Sequence, residues 1–255
     1  MKVVILAGGL GTRISEETIS LPKPMIRIGS DPILVHIIRH FAQYNHKDFI
    51  VALGYKGYVI KEYFKNYSLH TSNVLINLST NSIEYETNDS TNWNLELVDT
   101  GELTLTGGRV KRLRSRLSDT FMLTYGDGLS DVNLDELLTF HKSHGKLATV
   151  TAVSPPGRYG ILEIDGSNSV NGFLEKPKEF GSEINAGFFV FEPGIFDLID
   201  GDDEPLEEGL LPKLSNLGEL FAFRHSGFWQ SMDTLRDKRY LESLIESGNP
   251  PWIQK

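Results

Sequence analysis

The segment Lys2-Val3-Val4-Ile5-Leu6-Ala7 constrains the fold more than any other part of the chain. It is a continuous apolar run, rich in β-branched residues, and Gly8-Gly9 closes it. A run with no polar alternation suits a strand buried on both faces, as in a parallel sheet covered by helices. Asp31-Pro32 then opens a periodic segment with Ile33, Leu34, Ile37, Ile38 and Phe41 on one helical face. Ser30 or Asp31 can cap that helix, and Pro32 is tolerated in its first turn. Asp48–Leu53 reads as the next strand and Tyr58–Tyr67 as the next helix. The resulting order, strand, loop, helix, strand, helix, predicts an α/β fold with a parallel sheet.

Further along, Asn73–Glu86 is strand-like but polar and suits a hairpin, and Asn94–Asp99 reads as a strand. Gly107–Leu117 is basic and helical. Thr120–Tyr125 is an apolar strand that ends in Gly126-Asp127-Gly128. Leu134–His144 is a helix with Asn133 as its cap, and Leu147–Val153 a strand. Beyond Pro155-Pro156 the texture changes to strand-like pieces at Gly160–Asp165, Val170–Glu175 and Ala186–Phe191. Pro205–Leu214 and Asp233–Glu246 then read as helical, with Leu220–Arg224 extended between them. With no repeat and no low-complexity linker, the chain is expected to form a single domain over 1–255. The boundary near Pro155-Pro156 is expected to separate two halves of one cleft, 1–154 and 155–255, not two independent folding units.

The 255 residues and 40% hydrophobic content suffice for a sizeable core. The 25 basic against 34 acidic residues leave a net charge of −9, which argues against nucleic acid as the partner. There is no cysteine, so disulfides and thiolate metal sites are excluded. No apolar stretch reaches membrane-spanning length, and the run before Gly8-Gly9 is too short for a signal-peptide core. The expectation is a cytoplasmic protein with no membrane partner. His36, His40, His141 and His144 have helical spacing but no third ligand nearby in sequence, and are read as non-metal residues.

The loop after the first strand, Gly8-Gly9-Leu10-Gly11-Thr12-Arg13, can hold phosphates, because glycine lets backbone amides approach an anion closely. It fails the Walker A pattern, which needs Gly-Lys-Ser/Thr. It also fails the dinucleotide fingerprint, whose third glycine position is Ile14 here. A plain strand-to-loop turn remains the competing reading of these glycines alone. Arg13 and, ten positions on, Lys23 within Pro22-Lys23-Pro24-Met25 give the loop a direction. A guanidinium fork and a compact ammonium beside one amide-lined loop suit a triphosphate.

These residues resemble the sugar-nucleotide pyrophosphorylase family, whose signature is a Gly-Gly-x-Gly-Thr-Arg loop followed by a Lys-Pro segment. The resemblance runs nearly end to end. It extends through Gly54-Tyr55-Lys56-Gly57-Tyr58, Leu97-Val98-Asp99-Thr100-Gly101, Thr106-Gly107-Gly108-Arg109, Thr124-Tyr125-Gly126-Asp127-Gly128 and Gly227-Phe228-Trp229-Gln230-Ser231-Met232-Asp233-Thr234. The chain departs from the family pattern over Gly201–Gly209 and at Ser231, where a proline is usual. The resemblance implies a Rossmann-like mixed, mostly parallel sheet flanked by helices, of the nucleotide-diphospho-sugar transferase type. It also implies a homo-oligomer. The expected reaction joins CTP to a sugar 1-phosphate, glucose 1-phosphate being the expected acceptor, and releases pyrophosphate. The departures leave a different phosphorylated acceptor as the alternative.

Carried onto this sequence, the resemblance implies that Arg13 and Lys23 are catalytic. Leu6, Ala7, Gly8, Gly9, Gly11, Thr12, Arg13, Lys23 and Gly126 would bind the nucleotide. Thr100, Gly101, Thr104 and Arg109 would read the base, since hydroxyl, amide and guanidinium groups match the donor and acceptors of cytosine. Arg109 also belongs to the basic run Arg109, Lys111, Arg112, Arg114, Arg116, which alone reads as a solvated face or an oligomer contact. Asp127, at the carboxyl end of a strand, can hold Mg²⁺ or serve as a turn aspartate. Asp233 reads alone as a helix N-cap. The resemblance implies that both aspartates bind one Mg²⁺. For the acceptor it implies Tyr159, Gly160, Glu175, Lys176, Asn185 and Gly187, so that residues 1–154 would be mainly a nucleotide-binding half and 155–255 mainly an acceptor-binding half. Tyr58, Tyr63, Phe64, Trp93 and Trp252 are candidates for exposed interface aromatics.

Overall fold

The computed structural model describes residues 1–11, 14, 18, 20–86, 91–154 and 183–253, together with the backbone of 161–164 and 170–174. Strands β1 (Lys2–Ala7), β2 (Arg27–Ile28) and β3 (Asp31–Pro32) precede helix α1 (Ile33–Gln43), strand β4 (Asp48–Leu53) and helices α2 (Gly57–Lys65) and α3 (Tyr67–Thr71). A hairpin, β5 (Asn73–Asn77) and β6 (Ser82–Glu86), leads to β7 (Asn94–Asp99), α4 (Thr106–Arg112), β8 (Phe121–Tyr125), β9 (Gly128–Ser130), α5 (Leu134–His144) and β10 (Ala148–Val153). After the pair β11 (Ile161–Ile164) and β12 (Val170–Leu174) come β13 (Ile184–Phe191), α6 (Leu211–Asn216), β14 (Leu220–His225), β15 (Trp229–Ser231) and α7 (Leu235–Glu246).

Seven strands form one sheet in the order β14-β10-β13-β8-β1-β4-β7. All neighbours are parallel except β13, which runs antiparallel to both β10 and β8. Strands from before and after Pro155 therefore share one sheet.

The apolar run at the N-terminus is β1, the middle strand between β8 and β4. Its pleat explains why it lacks polar alternation. Val3, Ile5 and Ala7 enter one core, and Val4 and Leu6 enter the other. β4 divides in the same way, with Phe49, Val51 and Leu53 against Ile50 and Ala52. The first core is roofed by α1, α2, α5 and α7, and Ile33, Leu34, Ile37, Ile38 and Phe41 all face it. The second is covered by Val110 of α4, Leu214 of α6 and the Ile195–Ile199 segment. Asn133 caps α5 by accepting from Asp135 N and Glu136 N, both at 3.1 Å.

Three local expectations need correction. Asp31 and Pro32 form β3, so α1 starts at Ile33 and no side chain caps it. The Asp31 carboxylate instead accepts from Arg39 Nη1 at 2.6 Å. The basic segment breaks after Arg112 into a short 3₁₀ turn, Arg114–Arg116. The segment from Pro205 begins with one π-helical turn, Leu206–Leu210, before α6.

Of the aromatics proposed for an interface, Tyr58 is exposed, whereas Trp252 and Tyr63 are buried. Phe64 and Trp93 pack against the first core. A group of exposed apolar side chains lies on the β5–β6 hairpin, at Leu75, Ile76, Leu78, Ile83 and Tyr85. Among the described residues no helix is long and apolar enough to cross a membrane.

Candidate active site

The carboxyl ends of β1 and β8 open onto a cleft of about 490 Å³, within the usual size range of small-molecule sites. Leu6, Ala7, Gly8, Gly9 and Gly11 line one wall. The Gly8 carbonyl is turned into the protein, where it accepts from Tyr55 N at 3.2 Å and Arg109 Nη2 at 3.0 Å. Across a trans peptide the Gly9 N–H points the opposite way, out of the packed core. The loop thus offers an amide to an anion because its preceding carbonyl is anchored.

Arg109 is that anchor. Its guanidinium is buried and donates to Leu53 O (3.0 Å), Thr100 Oγ1 (2.8 Å), Gly101 O (2.6 Å), Gly8 O (3.0 Å) and Glu102 O (3.1 Å). Burial, and then the nearby Arg112 charge, lower its pKa from the ordinary value. No space remains for side chains beside it. A Cβ at Gly8 would lie 2.3 Å from Arg109 Nη1, and one at Gly54 would lie 2.5 Å from the same atom. The reading of Arg109 as part of a solvated basic face is therefore wrong, because its neighbours on the run face outward and it faces in.

α4 carries Arg109 into place through the close docking of another segment. The amides of Gly107 and Gly108 donate to Glu204 O at 2.9 and 3.2 Å. A Cβ at Gly107 would meet Glu204 O at 2.7 Å, and one at Gly108 would meet Asp202 Cα at 2.5 Å. This accounts physically for the Thr106-Gly107-Gly108-Arg109 stretch.

On the cleft floor Lys23 donates to Asp127 Oδ2 at 2.5 Å and to Asp233 Oδ1 at 2.9 Å. Lys23 opens a short 3₁₀ turn between Pro22 and Pro24, and the burial of Met25 and Ile26 fixes it to the first core. The ammonium is nearly buried. Burial opposes its charge, but the Asp127 charge and the hydrogen bonds that the ammonium donates to both carboxylates outweigh that and raise its pKa above the ordinary value.

The two aspartates meet through a ladder the sequence does not announce. β9 and β15 pair antiparallel with Gly128 opposite Ser231, and Met232 N donates to Asp127 O at 2.9 Å. Asp233 is not the helix cap. Thr234 caps α7 in a capping box with Asp237, which leaves the Asp233 carboxylate directed at Lys23 and Ser231 Oγ.

A family model for nucleotidyl transferases matches residues 2–229. The chain belongs to the nucleotidyl transferase family. It is 54% identical over 254 residues to the glucose-1-phosphate cytidylyltransferase of Salmonella typhi, covering 99% of this chain and 98% of that one. The enzyme of the same name from Salmonella typhimurium matches with the same identity and coverage. Among solved structures, HddC from Yersinia pseudotuberculosis superposes with a TM-score of 0.70 at 24% identity, covering 96% of this chain and 99% of that one. That likeness speaks for the fold, the mixed, mostly parallel sheet flanked by helices.

In this nucleotidyl transferase the cleft also takes in Thr104, Gly126 and Asn185. Thr100 and Gly101 stand behind Arg109 and not among the residues lining the cleft. The Thr100 hydroxyl is fully buried and donates to Leu53 O at 2.7 Å, so it reaches the cleft only through the guanidinium. Gly187 lies beneath the Tyr125 ring. Thr12, Arg13, Tyr159, Gly160, Glu175 and Lys176 lie outside the described residues.

Tyr125, Thr106 and Trp229 line the cleft without having been singled out. Trp229 Nε1 donates to Ala186 O at 2.7 Å, tying β15 to β13. Burial first, and then the Glu207 carboxylate, raise the Tyr125 pKa and keep the phenol protonated. The position of Tyr125 directly before Gly126-Asp127 is the signal that could have found it.

Proposed function

We propose that this nucleotidyl transferase is a cytoplasmic enzyme that makes CDP-glucose and pyrophosphate from CTP and glucose 1-phosphate. The observation that carries the reading is Lys23 seated between Asp127 and Asp233 on the floor of the cleft. It stands in a chain 54% identical throughout to a glucose-1-phosphate cytidylyltransferase.

A phosphate oxygen of the sugar phosphate attacks the α-phosphorus of CTP. A new P–O bond forms, the bond to the bridging oxygen breaks, and pyrophosphate leaves with that electron pair. The acceptor is already an anion, so no strong base is needed, and the protein's work is positioning and charge stabilisation. The Gly9 amide side of the loop, with Arg13, receives the β- and γ-phosphates. Lys23 stabilises charge at the α-phosphate. Thr104 and Arg109 form the base-facing wall, and Asn185 with Glu175 and Lys176 serves the acceptor.

The aspartates fit Mg²⁺, which prefers oxygen ligands. They already converge on one cation, the Lys23 ammonium, and two carboxylates against one ammonium leave a negative charge. Asp127 and Asp233 would hold the ion, and when bound it supplies charge neutralisation at the reacting phosphates. The exposed apolar side chains of the β5–β6 hairpin support a homo-oligomer, which light scattering would check.

The decisive experiment is pyrophosphate release measured over a matrix of nucleoside triphosphates and sugar phosphates. CTP with glucose 1-phosphate should exceed every other pair. Absence of turnover with that pair in the presence of Mg²⁺ would overturn the reading.

A further inference from the structure

Glu207 sits on the π-helical turn Leu206–Leu210, within the stretch around the family departure. Leu206 and Leu210 are buried in the second core, and the turn presents Glu207 to the edge of the cleft. Its carboxylate accepts from two hydroxyls. Thr106 Oγ1 donates to Oε2 at 3.0 Å, and the Tyr125 hydroxyl donates to Oε1. Thr106 in turn accepts from Leu206 N at 2.7 Å, so its single hydroxyl proton is directed to the carboxylate.

The consequence lies one bond further on. A phenol has one proton, and that of Tyr125 is committed to Glu207. Toward Asn185 the Tyr125 oxygen can therefore only accept, and Asn185 Nδ2 donates to it at 3.4 Å. The other end of the same carboxamide, Oδ1, accepts from Gly187 N at 2.8 Å. Both ends of the amide are thus assigned by their partners. Asn185 lines the cleft and carries a second N–H, so it presents a donor to whatever occupies the acceptor half.

We propose that Glu207 is a positioning residue that, by keeping a Tyr125 lone pair turned to Asn185 Nδ2, holds the donor end of Asn185 in place, so that the acceptor half of the cleft recognises a substrate oxygen lone pair. The substrate class is a hydroxylated or phosphorylated acceptor, and this inference rests on the assignment of that half under Proposed function. An acid at 207 is required because a carboxylate can only accept. An amide there could donate to the Tyr125 oxygen and turn the phenol proton toward Asn185 Nδ2, whose orientation Gly187 N fixes at the other end, so the contact would become donor against donor and be lost.

The test is a comparison of wild type, Glu207→Gln, Tyr125→Phe and the double variant. With saturating CTP, Glu207→Gln should raise KM for glucose 1-phosphate about tenfold, the effect of one lost polar contact. KM for CTP should stay within twofold, and melting should be near wild type. The double variant should be no worse than the more impaired single variant, because both interrupt one chain. An unchanged acceptor KM in Glu207→Gln, additive losses in the double variant, or equal rises in both KM values would overturn the relay. The side-chain amide signals of Asn185 in an ¹⁵N NMR spectrum give a readout that needs no substrate. They should shift in Glu207→Gln and in Tyr125→Phe, and unchanged signals would also refute the relay. Wild-type failure to turn over CTP and glucose 1-phosphate would refute the functional reading instead, leaving the relay to be judged by the amide signals.

Discussion

Replacing Arg109 by Met removes a guanidinium that donates to five acceptors. The cost can be worked from which acceptors keep another partner. Gly8 O retains Tyr55 N, and Leu53 O retains the Thr100 amide and hydroxyl. Those carbonyls therefore lose a bond without being orphaned, at about 1 kcal/mol each. The partly exposed carbonyls of Gly101 and Glu102 can rehydrate, so they add little. Loss of the bond to Thr100 Oγ1 adds about 1 kcal/mol more. Relief of a buried charge, which burial already penalises, works in the other direction. Set against the roughly 3 kcal/mol of lost hydrogen bonds, that relief leaves a net destabilisation of about 2 kcal/mol, hence a fall in Tm of roughly 4–8 °C for a domain of this size. Differential scanning calorimetry without ligand reads this directly. CTP KM should rise as well, because Tyr55 N alone is left to hold the Gly8 carbonyl and, with it, the outward set of the loop amides. Gly54→Ala approaches the same guanidinium from behind, with a Cβ 2.5 Å from Nη1, and should destabilise in the same direction while leaving the charge in place. A ligand-free Arg109→Met protein that melts like wild type, with only CTP KM changed, would refute the anchoring role. Arg109 would then act on the base alone.

Lys23→Ala should lower the single-turnover rate of pyrophosphate release by about 10²–10³, the usual range for losing one preorganised electrostatic contact. A near-wild-type rate would remove Lys23 from the chemistry. His40 is buried beside Asp131 and His225, and burial lowers its pKa to about 4. The unfolded chain takes up this proton near pH 6.5 and the folded chain only near pH 4. Stability from this residue is therefore complete above pH 6.5 and lost on acidification toward pH 4, by about 3 kcal/mol. Denaturant titrations across that window should show the loss, and His40→Met should flatten it; an equally steep acid slope in the variant would assign the effect elsewhere. Thr234→Ala breaks the capping box of α7 and should cost about 1 kcal/mol, or 2–4 °C in Tm. Because Asp233 is adjacent, turnover should fall with it, and full activity would show that the cap does not position the carboxylate.

The parts of the fold that sequence reveals are those whose cause is local. β1 was legible because a strand buried on both faces has nowhere to put a polar residue. The face of α1 and the Asn133 cap were legible for similar reasons. What escaped depends on partners far along the chain. β9 and β15 have three residues each, too few for alternation to register, yet their pairing is what joins Asp127 to Asp233. Asp31 looked like a cap because the residue type suits one, and Arg39 claimed its carboxylate instead.

Arg109 shows the limit most clearly. Five basic residues within eight positions read as a solvated face, and nothing in their spacing distinguishes one that turns inward. The distinction lies at Gly8 and Gly54, about a hundred and about fifty residues away, where missing side chains leave the volume the guanidinium fills. The glycines of the first loop thus have two physical causes. Gly9 has nothing within 4 Å of a would-be Cβ and faces the cleft, whereas Gly8 is required by what lies behind it. A Gly9→Ala variant should therefore fold with wild-type Tm and reveal in CTP KM how closely the triphosphate approaches. A Gly8→Ala variant should lose stability before any ligand is added, because the Cβ would displace Arg109.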